Sequence, residues 1–238
     1  VGYDSKRFED LTRPRSGARR SPFSPERGRQ RNDGYEELSV LDGNVRYARI
    51  SSFMWFDEST PRIIDAAARF LADGDAVVID LRGNGGGSAE AVQRIASYFF
   101  AAGGRDLMIF HDGLNGERNV NRVLADLPGP RLAGKALYTL IDGNSGSAAE
   151  EFAYHVQQFR LGTLVGRTTA GAANNNQHYP VPPFFVASIS VGRSEHPVSR
   201  TNWEGVGVAP HVETPSASAL DQAHLLALRT LAQRADPN

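Results

Sequence analysis

FLADGDAVVIDLRGNGGGSAEAVQRIASYFFAA (70–102) is the stretch whose reading sets the fold. AVVID (76–80) is an unbroken apolar run, as expected of a strand buried on both faces; a half-exposed strand would alternate. RGNGGG (82–87) follows as a sharp turn, because glycines accept positive φ and let the backbone come close to other groups. SAEAVQRIASYFFAA (88–102) then reads as an amphipathic helix with Ser88 as its cap. Strand, turn and helix in this order belong to an α/β fold with a buried, largely parallel sheet.

The flanks repeat the pattern. On the N-terminal side, NVRYARISSF (44–53) alternates as a strand, and STPRIIDAAARFLAD (59–73) opens a helix with Ser59 or Thr60 as cap and Pro61 in its first turn. On the C-terminal side, DLMIFHD (106–112), ALYTLID (136–142) and TLVG (163–166) read as strands, and SAAEEFAYHVQQFR (147–160) as a helix. Residues 174–210 read as strands and loops, with FFVASISVG (184–192) the clearest strand, and SALDQAHLLALRTLAQRA (218–235) closes the chain as a strong helix. No short-period repeat is present.

Composition narrows the function. The 238 residues suffice for a sizeable core, with 40% hydrophobic and 22% charged residues. A formal charge of -1 argues against nucleic-acid binding by the whole chain. No apolar run reaches the ~18 residues of a membrane span. The absence of cysteine removes disulfides, thiolate nucleophiles and cysteine-bound zinc, and leaves the redox compartment open. Residues 1–31 carry nine Lys+Arg against four Asp+Glu, and 12–34 are rich in Arg, Pro, Ser and Gly. That composition predicts a mobile basic loop in 12–34. The expected organisation is a linker over 1–34, the tail of a preceding domain, and a core domain over 35–238. Val1 and the absence of a signal-peptide pattern mark the chain as a fragment or processed product.

Three segments carry candidate chemistry. In VVIDLRGNGGGSAE (77–90) the glycines are too crowded for a dinucleotide fingerprint and no Walker Lys follows, so the turn suits an oxyanion better than a phosphate. In IDGNSGSAAEEFAYH (141–155), Ser147 stands at a helix start, where the dipole and the Ala148 amide favour a developing oxyanion. Ser147-Ala-Ala-Glu150 is equally a capping box, which requires no catalysis. In TNWEGVGVAPH (201–211), Glu204 either orients a base or sits in an ordinary surface turn.

Taken together, DLRGNGGGS (80–88), GSAAEEFAY (146–154) and TNWEGVGVAP (201–210) resemble the serine peptidase family of the tail-specific (C-terminal processing) proteases. The closer likeness is to its branch named for interphotoreceptor retinoid-binding protein, related to the tricorn protease core. RNDGYEELSVLDGNVRYARISSF (31–53) and LVGRTTAGAAN (164–174) extend the resemblance over about residues 31–215. It implies a ClpP/crotonase-like α/β core of stacked β-β-α units, here without a recognisable PDZ module. It also implies Ser147 as nucleophile, the amides of Gly86 (or Gly87) and Ala148 as oxyanion hole, and Glu204 as support for the base. The implied partner is a peptide or protein substrate, with no metal or cofactor, and the resemblance favours an extracytoplasmic setting.

The base departs from that pattern. Tail-specific proteases carry a Lys in the segment matching TTAGAAN (168–174), where Ala172 stands here, and no Lys follows Ser147. The retinoid-binding-protein and tricorn branch implies a His from an N-terminal domain, ahead of Val1. Among the six His, His155 lies eight residues beyond Ser147, about 12 Å along a helix, too far for a direct hydrogen bond. His178, expected in a loop that could fold back over the site, is the better-placed local substitute, and His111-Asp112 is too isolated for a metal site. Three readings follow. The first is a serine peptidase core whose base lies outside the chain. The second is a non-catalytic binder of apolar ligands or peptides, with Phe53, Met54, Trp55, Phe56, Phe184 and Phe185 lining a cleft. The third, and weakest, is an acyl-thioester enzyme on the crotonase fold.

Overall fold

The computed structural model describes residues 1–12 and 25–235. The chain opens with β1 (Gly2–Tyr3) and α1 (Ser5–Thr12), and resumes with α2 (Pro25–Gln30) and a 3₁₀ turn at Asn32–Gly34. The core follows as β2 (Tyr35–Leu41), β3 (Val45–Ile50), α3 (Thr60–Ala72), β4 (Ala76–Asp80) and α4 (Ala89–Ser97). Next come β5 (Asp106–Asp112), β6 (Arg118–Arg122), β7 (Ala136–Ile141), α5 (Ala148–Gln158) and β8 (Thr163–Gly166). The C-terminal part holds β9 (Asn176–Val181), β10 (Phe185–Ser190), β11 (Gly192–Glu195), β12 (Val212–Glu213) and α6 (Ala219–Ala235).

Six strands form the main sheet in the order β12-β8-β7-β4-β3-β2, parallel except for the β2/β3 hairpin. The apolar run of β4 has its explanation here, because both faces are covered. Val77 and Ile79 point into a core shared with α3, α4 and α5, while Ala76 and Val78 point into a second core against α6. All five residues of β4 are buried. The α/β expectation and the placement of the sheet strands and principal helices are therefore met, and the described residues show no PDZ module. Ser88 caps α4 as its sequence position suggests, accepting from the amides of Glu90 and Ala91. Ser59 precedes α3 without making a side-chain cap bond.

Part of the basic loop expected over 12–34 lies outside the described residues, at 13–24. Its described end, 25–34, is held rather than free. Asp33 is buried and accepts a 2.8 Å hydrogen bond from the Thr60 hydroxyl. A side chain at Gly28 would collide with the Phe56 ring. Composition alone misses this, because the holding groups are one Asp and one Gly that meet partners some thirty residues away.

Asp80 fixes the C-terminal end of β4. Its carboxylate is fully buried and accepts from Tyr47 Oη (2.8 Å), the Arg82 amide (3.0 Å), Arg82 Nε (2.9 Å) and Arg82 Nη2 (2.6 Å). Burial alone would raise its pKa, but the bonds from Arg82 outweigh burial and hold it below the ordinary carboxylate value. A depressed folded-state pKa stabilises the fold above the ordinary carboxylate range, and the effect fades as pH falls through the folded value. Asp80→Asn is expected to cost about 3 kcal/mol at pH 7. The gap from wild type should narrow below pH 4 in urea titrations; a gap independent of pH would contradict this account.

Candidate active site

β4 and β7 are adjacent and parallel, with Asp80 opposite Leu140, so the turns leaving their C-terminal ends lie side by side. These turns are 81–88 and 142–147, the two segments singled out above. They are laced together by named bonds. The Gly83 amide donates to Asp142 Oδ1 (3.1 Å), and Ser145 Oγ donates to the Leu81 carbonyl (2.8 Å). The Gly146 amide donates to the Asn84 carbonyl (2.9 Å). Asn84 is fully buried, and its side chain donates to the Ile50 carbonyl (2.9 Å) while accepting from the Gly86 amide (2.9 Å).

The turns meet at Ser147. A methyl group built on Gly86 would stand 2.7 Å from Ser147 Cβ and 3.1 Å from the Ala148 nitrogen. Gly86 (φ 114) and Gly87 (φ 150) both need the glycine region of backbone space. Ser147 itself takes φ 53 and ψ −118, a strained setting for a residue with a side chain, and it is exposed. Its amide donates to Glu150 Oε2 (2.8 Å). Both halves of the expected capping box are present, the Ser147 side chain facing the Glu150 amide and the Glu150 side chain accepting from the Ser147 amide, although the Ser147 hydroxyl makes no cap hydrogen bond of full geometry. Ala148 opens α5, where an amide has no partner within the helix. The Gly86 amide is engaged by Asn84; the Gly87 amide has no acceptor among the described residues.

Glu150 is the residue whose importance the sequence understates. It is fully buried and takes four donors: the Ser147 amide, Thr169 Oγ1 (2.6 Å), the Gly171 amide (2.6 Å) and the Ala172 amide (2.9 Å). Glu204 grips the next part of the same segment, its Oε2 accepting from the amides of Ala173 and Asn174, each at 2.8 Å. None of Glu204's hydrogen bonds reaches Ser147. Its visible work is to hold 173–174, and it stands exposed on the surface.

No described Lys or His side chain hydrogen-bonds Ser147. His155 is buried among rings, and burial pushes its pKa down to about 3. It lies 3.5 Å from Glu151 Oε1, but Glu151 is raised to about 8, so burial makes this a contact between neutral groups, not an ion pair. His196 is likewise held down to about 3, first by burial and then by His155. His111 faces Glu195 at 3.0 Å, His211 Nδ1 accepts from the Leu164 amide, and His224 meets the Asp42 carbonyl. His178 sits in β9 opposite Ser188.

A cleft of about 890 Å³ runs beside the turn, between Gly83, Gly85, Gly86 and Gly87 on one wall and residues 28–36 and 51–56 on the other. Met54 and Phe56 line it, and Trp55 borders an adjoining cavity. Phe53 is instead a core residue, and Phe184 and Phe185 pack edge-on against Tyr3 elsewhere.

The model of peptidase family S41 matches residues 44–214. The chain belongs to this family. Among solved structures, it is similar to the photosystem II D1 C-terminal processing protease, with 19% identity and a TM-score of 0.59 over 79% of this chain and 49% of that one. It is similar to a lipoprotein from Streptococcus agalactiae, with 15% identity and a TM-score of 0.59 over 82% of this chain and 69% of that one. Mature CPAF matches with 15% identity and a TM-score of 0.61 over 82% of this chain and 52% of that one. These likenesses show the shared fold. The chain spans about half the length of the D1 processing protease and of CPAF.

Glu150→Gln would put an amide group among four donors. It is expected to lower unfolding free energy by about 3 kcal/mol, as for other broken buried charge networks. Glu204→Gln should cost visibly less. Equal losses in chemical denaturation would refute the central place given to Glu150.

Proposed function

We propose that this chain is the core of a serine peptidase in which Ser147 is the nucleophile. The observation that carries the reading is an exposed serine in a strained φ/ψ setting at the start of α5, touching a glycine turn with an open amide. Ser147 Oγ attacks the peptide carbonyl carbon while a base takes its proton. The carbonyl oxygen becomes an oxyanion facing the Gly87 and Ala148 amides. The C–N bond then breaks, the amine leaves with the proton held by the base, and water hydrolyses the acyl-serine ester. Glu150 and Glu204 act as positioning residues, holding 169–174 against the nucleophile turn.

We place the base outside the described residues, a reading supported by the lack of any hydrogen bond to Ser147 from a described His or Lys side chain. The family resemblance suggests a His carried by an N-terminal segment, as in the retinoid-binding-protein and tricorn branch. The same missing base favours a second reading, a module that binds apolar ligands or peptides without cutting them.

Fluorophosphonate labelling with mass-spectrometric location of the label separates the two. The protein as its gene encodes it should label at Ser147, and residues 1–238 alone should label and hydrolyse peptides at least about 100-fold more slowly, the usual worth of a general base. Absence of label in both forms would establish the binding module. Efficient turnover by residues 1–238, lost in Ser147→Ala, would overturn the external base. Gly86→Ala should abolish labelling, because its methyl group would crowd Ser147 Cβ.

A further inference from the structure

We infer that the segment Met54–Phe56 forms the specificity pocket of this cleft, and that it selects a peptide with a large apolar residue next to the scissile bond. The inference rests on the peptidase reading and extends it to a substrate class. Phe53 runs parallel to Gly87 as a β-bridge, its amide donating to the Gly86 carbonyl (2.9 Å) and its carbonyl accepting from the Ser88 amide (2.5 Å). Residues 54–56 therefore leave directly from the turn that carries the open Gly87 amide. They border a cavity of about 440 Å³ lined by Pro25, Met54, Trp55, Phe56, Gly87 and Ser88.

The pocket wall is fixed. The Phe56 amide donates to Thr60 Oγ1 (3.2 Å), and the Phe56 ring lies where a side chain on Gly28 would collide with it. Trp55 remains 37% exposed, and Met54 is partly buried, so apolar area is left for a ligand to cover. Met54, Phe56 and Gly87 line both this pocket and the larger cleft, so the two are continuous. The larger cleft is polar on its far wall, with Arg31, Glu36, Ser51 and Ser52. A wholly apolar ligand spanning both would desolvate Arg31 and Glu36 without giving them partners. A peptide places one apolar side chain in the pocket and offers amides and polar side chains to the rest.

The test is binding to the Ser147→Ala form of the protein as its gene encodes it, so that no chemistry is needed. Fluorescently tagged, end-blocked hexapeptides of Gly and Ser carry Leu, Phe, Ser or Asp at one central position, with retinol as an apolar comparison. Leu and Phe peptides are expected to bind at least about tenfold tighter than Ser and Asp peptides, in line with burial of one large apolar side chain. Met54→Asp should remove that advantage, and Trp55→Ala, at a half-exposed site with little effect on thermal melting, should reduce it several-fold. Equal binding of all four peptides, no binding of any, tighter binding of retinol, or a preference that survives both variants would overturn the inference. Failure of Ser147 to label, with the apolar preference intact, would instead count against the peptidase reading alone.

Discussion

The buried carboxylate of Glu150 is the point on which the site depends. A carboxylate removed from water is costly unless its lone pairs are filled, and here four donors fill them. One donor belongs to the Ser147 turn and three to a segment some twenty residues further along the chain. The position of Ser147 relative to that segment is thus set by a group that has no low-energy alternative partner. The strained φ/ψ of Ser147 persists because its amide is tied to this carboxylate and its Cβ is packed against Gly86.

Sheet topology supplies the other half of the arrangement. Parallel neighbours β4 and β7 send both of their exit turns to the same edge of the sheet. One turn brings glycines with an open amide, and the other brings a serine and a helix start. Asp80, Asn84 and Asp142 fasten these turns to each other and to β3 and the α6 entrance, Arg82 reaching the Ser216 carbonyl. The two candidate turns are therefore short and well held, which is what the proposed oxyanion site requires.

Much of this is legible in the sequence. AVVID has to be a doubly covered strand, and the glycine run and Ser147 announce themselves by their positions between strand and helix. What is not legible is long-range. Glu150 looks like half of a capping box, because its nearest signal is Ser147 three residues earlier; its partners Thr169, Gly171 and Ala172 give no local sign. Gly86 and Gly87 are indistinguishable until Asn84 is seen to claim the Gly86 amide. The basic stretch reads as loop by composition, yet 25–34 is held by Asp33 on Thr60 and by Gly28 under Phe56. Glu204 reads either as support for a base or as part of a surface turn, and its bonds to the backbone of 173–174 give no local sign in the sequence. In most of these cases the deciding contacts join residues distant in sequence, which local pattern does not reveal.

The most direct measurement is a crystal structure of the Ser147–phosphonate adduct of the protein as its gene encodes it. The account predicts the phosphoryl oxygen within hydrogen-bond distance of the Gly87 and Ala148 amides, with the four bonds to Glu150 intact. A phosphoryl oxygen directed to solvent, or one bound by the Gly86 amide with Asn84 displaced, would contradict it.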